Sequence, residues 1–436
     1  MNDPAITGAE FLSPKDIRRL QQQRWSVQVA YVSARSPFYQ QAYGGIEIPG
    51  RLDDIEALPL TDKEMIREDQ RLNPPFGSYL ACEARQIRRV HRTSGTSGIA
   101  MNLALGEADA LMTASVAGRA QSAAGLGPGY RVVHCLNYQL WMGGYSDHAG
   151  LEATGATVVP YGVGNTRQLI EVIRELGIDA ISCTPSYPKV LEGVIEEYYP
   201  ELRPGDLGLR LGLFGGEPGL DEPAFRRRLE ETWGFSARNA NFGVSDVLCN
   251  FAAQTEQCED LHLLACDVLF PELVDAVSGR RLPWRAGERG ELVLTHLAKQ
   301  AQPLVRFRTG DIIDLVATDT AACGRTAPRF RVVGRSDDMV VVRGLNLFPA
   351  MIGGVLHGFT ELSGLWRAEL DAPPPYDYLP IDAELARPVE STAGLAGAIE
   401  AEIKARLGAR ARVRLLEAGS LPRTEGKARC VFRTYE

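Results

Sequence analysis

Arg92-Thr93-Ser94-Gly95-Thr96-Ser97-Gly98 sits between two short strand-like runs, Gln86 to Val90 and Met101 to Leu105. Extended runs on either side of a polar, glycine-bearing segment predict a hairpin with this stretch at its tip. Small hydroxyl residues alternating with glycines let backbone N–H and side-chain O–H groups turn together toward a phosphate. The stretch therefore reads either as a nucleotide triphosphate clamp or as a plain Ser/Thr/Gly surface turn. It is not a Walker loop, which ends in Gly-Lys-Ser/Thr and opens a helix, because Ile99 follows the last glycine.

Around this stretch lies a chain of 436 residues, 45% hydrophobic and 23% charged, long enough for more than one core. A formal net charge of -8 argues against nucleic acid or an anionic membrane as a general partner. No run approaches ~18 consecutive apolar residues. Met1-Asn2-Asp3-Pro4 lacks the basic start of an export signal, so a cytoplasmic location is expected. Eight cysteines in such a chain read as reduced thiols or metal ligands, not as a disulfide framework.

Upstream of the hairpin, Ile17, Leu20, Trp25, Val27 and Val32 recur at helical spacing, which predicts a helix from Pro14 to about Ala34 that stops before Ser36-Pro37. Thr61 and Glu64 read as a capping box opening a second helix, with Lys63 a solvated first-turn charge. Downstream, Glu107 to Ala124 is alanine-rich and reads as helix, followed by a strand from Arg131 to Leu136. Strand and helix then alternate: Ala156 to Tyr161, Thr166 to Leu176, Ala180 to Cys183, Tyr187 to Glu197, Leu209 to Phe214 and Glu222 to Trp233. Such alternation predicts a parallel sheet with helices on its faces. Ligands in such folds sit beyond the carboxyl ends of the strands, where Gly215-Gly216-Glu217-Pro218 would lie.

Two further segments carry chemistry. Asn137 to Tyr145 mixes aromatics with paired glycines and reads as a buried loop entering a helix or as the wall of an aryl pocket. In the second reading Tyr138, Trp141 and Tyr145 offer flat faces, while Gly143 and Gly144 let a ligand approach the backbone. Cys258-x3-His262-x3-Cys266, with Cys249 and Cys323 nearby in sequence, has the soft donors of a zinc site. The expectation is a closed structural site of Cys258, His262 and Cys323, with Cys249 or Cys266 fourth. Otherwise these cysteines are buried small hydrophobes.

The order of motifs resembles the adenylate-forming superfamily, and most of all its phenylacetate-CoA ligase branch, over nearly the whole length. The resemblance rests on Ser36-Pro37-Phe38-Tyr39, Leu58 to Lys63, Arg92 to Gly98, Phe214 to Pro218, Asn241 to Asp246, Arg306 to Asp311, Gly334 to Asp338 and Leu421 to Lys427. Each is weak singly; their fixed order carries the resemblance.

What the resemblance implies is an α/β fold: a large N-terminal adenylation domain (1–334) with parallel and mixed sheets plus a β-rich subdomain, and a small mobile α+β C-terminal lid (335–436). The hinge is expected at Asp337. ATP is expected at Arg92, Thr93, Ser94, Gly95, Thr96, Ser97 and Gly98, at Gly215, Gly216 and Glu217, and at Asn241, Phe242, Gly243, Val244 and Ser245. Asp311 is expected to accept the two ribose hydroxyls, and Phe214 to join the acyl pocket. The family pattern Tyr-Gly-x-Thr-Glu is here Phe242-Gly243-Val244-Ser245-Asp246, so the magnesium carboxylate is one methylene shorter. Lys427, Asp246 and Arg335 are the expected catalytic residues.

The implied activity is ATP-dependent activation of an aryl or arylacetic acid to an acyl-adenylate, then transfer to coenzyme A, with Mg2+ as the metal; a structural Zn2+ is expected only from the cysteine and histidine spacing above. A carrier protein or an amine as acceptor, and a homodimer, stay open. From another class, a catalytically inactive nucleotide-binding homologue is favoured by Ile99 and Asp246, and opposed by Lys427, Asp311 and Arg335.

Overall fold

Helix α1 (Pro14–Arg35) begins where the Ser13 hydroxyl accepts from the Asp16 N–H at 3.2 Å, and it ends before Ser36-Pro37. Its buried face is not purely apolar. Trp25, Val29 and Val32 are joined there by Gln21 and Gln28, whose amides donate to the Cys266 and Lys299 carbonyls, each at 2.7 Å. Val27, counted with the apolar face above, is 72% exposed. The protein is seen here as a computed structural model describing residues 8–93, 100–343, 345–373, 376–389, 391–422 and 430–435.

After α2 (Pro37–Ala42), helix α3 (Lys63–Leu72) is capped by Asp62, which accepts from the Met65 N–H at 2.9 Å. Thr61 is therefore not the cap expected from the sequence. Its backbone is drawn into extended pairing instead, donating to the Arg306 carbonyl at 3.0 Å and accepting from the Arg308 N–H at 2.8 Å. Strands β1 (Ile87–Arg92) and β2 (Asn102–Gly106) form the expected antiparallel hairpin, with Arg92 opposite Asn102. Its tip, Ser94 to Ile99, lies outside the described residues.

Helix α4 (Glu107–Ala123) leads into the alternating stretch: β3 (Arg131–His134), α5 (Met142–Ala153), β4 (Thr157–Pro160), α6 (Thr166–Leu176), β5 (Ala180–Cys183), α7 (Tyr187–Tyr198), β6 (Leu211–Gly215), α8 (Pro223–Trp233) and β7 (Ser236–Val244). A strand-rich run follows: β8 (Leu248–Thr255), β9 (Cys258–Leu263), β10 (Leu269–Val274), β11 (Arg281–Leu282), β12 (Arg289–His296), β13 (Phe307–Ala317) and β14 (Arg329–Arg335). Twelve of these strands make one sheet in the order β11-β10-β12-β13-β14-β9-β8-β7-β6-β5-β3-β4. From β4 to β7 every neighbouring pair is parallel; from β7 through β8 to β9 the pairs are antiparallel. The parallel half and the β-rich half are thus continuous through β7, the strand that carries the Asn241 to Val244 motif.

The chain divides into two units: Met1–Gly215, Glu230–Thr309 and Ile313–Arg331 in one, and Gly216–Leu229, Gly310–Ile312 and Val332–Glu436 in the other. The second unit contains β15 (Val340–Val342), β16 (Leu345–Leu347), α9 (Pro349–Leu356), β17 (Leu362–Leu370), β18 (Leu379–Leu385), α10 (Thr392–Leu407), β19 (Ala411–Leu416) and β20 (Val431–Arg433). Its four-stranded sheet, ordered β19-β18-β17-β20, shares a core with both helices through residues such as Val342, Ile352, Ile381, Ile399 and Ile403.

Candidate active site

Strand β7 ends in a tight turn, with the Val247 N–H donating to the Val244 carbonyl at 2.8 Å, and this turn presents Asp246. Asp246 is buried; its Oδ2 accepts from Lys63 Nζ at 2.9 Å, while its Oδ1 has no hydrogen-bond partner. Lys63, read from the sequence as a solvated charge, is 41% exposed and is aimed at this carboxylate. Beneath the turn, buried Lys299 donates to the Asp246 and Val247 carbonyls at 3.1 and 3.2 Å. Burial lowers the Lys299 pKa, against the opposing pull of Asp109 and Asp246. His296 accepts the Leu304 N–H at Nδ1, so its Nε2 carries the proton and donates to the Val247 carbonyl at 3.1 Å. Burial keeps that ring well below its ordinary pKa and neutral. A charged lysine over the turn and a buried one under it fix one carboxylate and leave one of its oxygens for a ligand.

One strand away, Gly215 pairs with Asn241, and a Cβ on Gly215 would meet the Asn241 Cβ at 2.5 Å. Only glycine lets β6 and β7 close there. The Asn241 amide then donates to Asp147 Oδ2 on α5. Phe242 is half-buried, its ring edge-on to Phe251 and Phe330, each 5.5 Å away. Gly243, Val244 and Ser245 complete the strand end, also half-buried. Phe214, expected in the acyl pocket, is fully buried against Phe235 at 5.7 Å and belongs to the core.

The aromatic segment enters α5 at Trp141, its N-cap residue. Tyr138 is half-buried, with its hydroxyl 2.9 Å from His148 Nδ1 and its ring edge-on to His134. Buried His134 links Ser182 Oγ and the Gly144 carbonyl, each at 3.0 Å, and so ties β3, β5 and the start of α5 together. Burial lowers its pKa to about 4, so the ring is neutral. Gly144 is required by packing, since a Cβ there would fall 2.2 Å from the Asn137 carbonyl oxygen. It therefore does not open space for a ligand as the sequence suggested. Tyr145 is 49% exposed and lies under the Arg89 guanidinium at 4.1 Å, on the outer face of α5.

At the hairpin, Arg92 is exposed and its N–H donates to the Leu140 carbonyl at 2.8 Å. Thr93 closes the strand ends, its N–H donating to Met101 O and its Oγ1 accepting from Met101 N–H at 2.9 Å. Ser94, Gly95, Thr96, Ser97 and Gly98 lie outside the described residues, as does Lys427.

Within the second unit, Gly216 has φ of 81° and precedes Glu217. Arg335 donates from Nη1 to Asp311 at 3.1 Å and from Nε and Nη2 to the two Asp337 oxygens at 2.9 and 3.0 Å. Burial opposes the Arg335 charge, but Asp311 and Asp337 outweigh it and raise the pKa.

The cysteines do not assemble the expected zinc site. Cys323 Sγ is 4.0 Å from His262 Nε2, but Cys258 faces Asp260, Cys266 donates to the Leu263 carbonyl and Cys249 lies by Asp147. Among the described residues no group of three or more His, Cys, Asp or Glu side chains is placed to hold a metal. Residues alternating along β9 are spread along a strand, so the 258–262 spacing separates the two ligands it was expected to join.

The sequence reading of Lys63 as a solvated charge missed its partner, and Lys299, His134 and Asp147 carried no reading at all. A lysine next to the Lys299 neighbours Ala298 and Gln300, or an aspartate in a glycine-rich helix, carries no local mark of its partner.

Residues 344–434 match the family model of the AMP-binding enzyme C-terminal domain. The chain is 32% identical to phenylacetate-coenzyme A ligase of Thermus thermophilus, over 96% of each chain. It is 33% identical to the enzyme of the same name from Pseudomonas putida, over 99% of this chain and 96% of the relative. Its structure is similar to that of 2-hydroxyisobutyryl-CoA ligase in complex with an acyl-AMP, with a TM-score of 0.88 and 28% identity, covering 98% of this chain and 91% of that one. Among the described residues no helix is long and apolar enough to cross a membrane.

Proposed function

Because the chain belongs to the phenylacetate-coenzyme A ligase family of AMP-forming enzymes, we propose that it activates an aryl or arylacetic acid bound beside α5 and passes the acyl group to coenzyme A. The reaction has two halves. An oxygen of the acid attacks the α-phosphorus of ATP and the α–β P–O bond breaks, releasing pyrophosphate. The sulfur of coenzyme A then attacks the acyl carbon, the C–O bond to AMP breaks, and the thiol proton is lost.

The observation that supports this best is the Asp246 turn. Two anions must be brought together, so the site's task is to hold them and to screen their repulsion. Asp246, with Lys63 on one oxygen and nothing on the other, has the donor set for one ligand position of a magnesium ion. Bound there, the ion would neutralise charge on the departing pyrophosphate. Lys63 holds the carboxylate and adds positive charge on the phosphate side, and Lys299 and His296 fix the turn's backbone. Arg92, exposed where the hairpin strands reach the tip, is assigned to add positive charge on the phosphate side.

Asp311 is assigned to the ribose hydroxyls and Lys427 to the bridge between carboxylate and α-phosphate. Residues 335–436 are assigned as a lid, with Asp337 as its hinge. The acyl assignment rests on Tyr138 and Trp141 at the entry of α5, since flat rings favour a planar substrate by roughly 0.5 to 1.5 kcal/mol per contact beyond buried area.

The test is pyrophosphate release in ATP and magnesium with phenylacetate, benzoate, octanoate or palmitate, each with and without coenzyme A. Faster release with the aryl acids and AMP-linked thioester formation with coenzyme A are expected. Faster release with the fatty acids would end the aryl assignment while leaving activation standing.

A further inference from the structure

The geometry points to Asp147 as a specificity residue whose buried carboxyl forms a hydrogen bond with a hydroxyl or amino substituent on the acyl group. This rests on the activation reading above and deepens it. Asp147 is fully buried on α5, one turn after Gly143. Its Oδ2 accepts from the Asn241 amide, and Asn241 stands beside Gly215 at the carboxyl end of the parallel strands, where ligands of such sheets bind. Its Oδ1 has no hydrogen-bond partner. A buried polar atom without a hydrogen-bond partner carries its desolvation penalty unrelieved, and a partner on the ligand removes it.

Gly143 lies between this carboxyl and the entry of α5. A Cβ there would contact the Trp141 indole at 3.5 Å and Asp147 Oδ2 at 3.4 Å. The space above this glycine is therefore bounded by a flat ring on one side and a carboxyl on the other. A planar acid lying on the indole has its edge toward Asp147. Met142, at the start of the same helix, is buried in one cluster with Cys249, Leu103 and Leu105, and the Cys249 thiol lies by the carboxyl. An unsubstituted ring would leave Oδ1 unpaired; a ring bearing O–H or N–H at the right position would not. Discrimination by a buried polar group of this kind reaches ~10⁴-fold or more, against ~10 to 200-fold for a methylene.

The test compares kcat/KM for pyrophosphate release with phenylacetate, benzoate and their monohydroxy and monoamino derivatives, in the wild type, Asp147→Asn and Asp147→Ala. In the wild type at least one substituted acid is expected to exceed its parent by about 10²-fold or more. In Asp147→Ala that ratio falls toward one, and Asp147→Asn, which keeps a hydrogen-bonding group of nearly the same shape, restores part of it. A structural role for Asp147 would lower all acids together and leave the ratio unchanged, which overturns the inference. So does a wild type that favours the unsubstituted parents. Release with no acid at all would overturn the activation reading itself.

Discussion

Lys63 Nζ lies 2.9 Å from Asp246 Oδ2 across 183 residues of sequence, joining the first residue of α3 to the turn that ends β7. The lysine is partly exposed and the carboxylate is not. Because Asp246 Oδ1 has no partner, removing the lysine leaves a buried carboxylate without its donor, at a cost of about 1 to 3 kcal/mol besides the loss of position and charge.

Lys63→Met is therefore expected to lower the melting temperature and to lower pyrophosphate release by roughly 10-fold or more, as loss of one preorganised charge contact does. Steady-state kinetics at several magnesium concentrations, with a thermal melt alongside, check this. Unaltered kinetics would remove Lys63 from the site.

Lys299→Met should act on the backbone of the turn instead of on the carboxylate. It deprives the buried Asp246 carbonyl of its lysine donor, at a cost of about 1 to 3 kcal/mol, and loosens the turn. Urea denaturation should show the loss, and adenylation should fall with it. A stable variant with reduced activity would mean that Lys299 meets the nucleotide directly.

For Lys427→Ala the expectation is a fall in adenylate formation on the order of 10²-fold, with a much smaller effect on thiol transfer from preformed acyl-adenylate. Equal losses in both halves would point to a role in folding or closure.

Burial pushes the Asp147 carboxyl up to about 8, against the opposing pull of the Cys249 thiol and the Asn241 amide. Its unfolded value is about 3.9. Below that value the group is protonated in both states and contributes nothing to the pH dependence. Between the two values the unfolded chain ionises while the folded one stays protonated, so the folded state loses stability as pH rises, and the loss levels off above about 8. Stability of the wild type relative to Asp147→Asn should fall by an amount on the order of a few kcal/mol between about pH 4 and pH 8. Paired denaturation curves measure it, and a flat difference would show that Asp147 ionises normally.

Metal analysis of protein prepared without chelator should find well under one equivalent of zinc, because the cysteines of the 249–323 region face different partners. A full equivalent that survives dialysis would show that Cys258, His262 and Cys323 come together in solution.

The sequence by itself determined the regular elements and their class. The helix Thr166–Leu176 and the strand Ala180–Cys183 stand where the spacing put them, because hydrophobic period and end signals are local properties of the chain. The ordered motifs likewise identified the family, and the hairpin around residues 94–99 followed from its flanking strands. Tertiary structure alone decided the rest. Lys63 looked like any first-turn lysine until the sheet placed β7 beside α3, and Asp147 looked like any helical aspartate until Gly215 let Asn241 close on it. The 258–262 spacing suggested two ligands of a metal site until a strand, rising about 3.3 Å per residue, carried them apart. A local pattern states which element a residue occupies; which distant group it meets is set by strand order and register, and these depend on how the whole sheet packs.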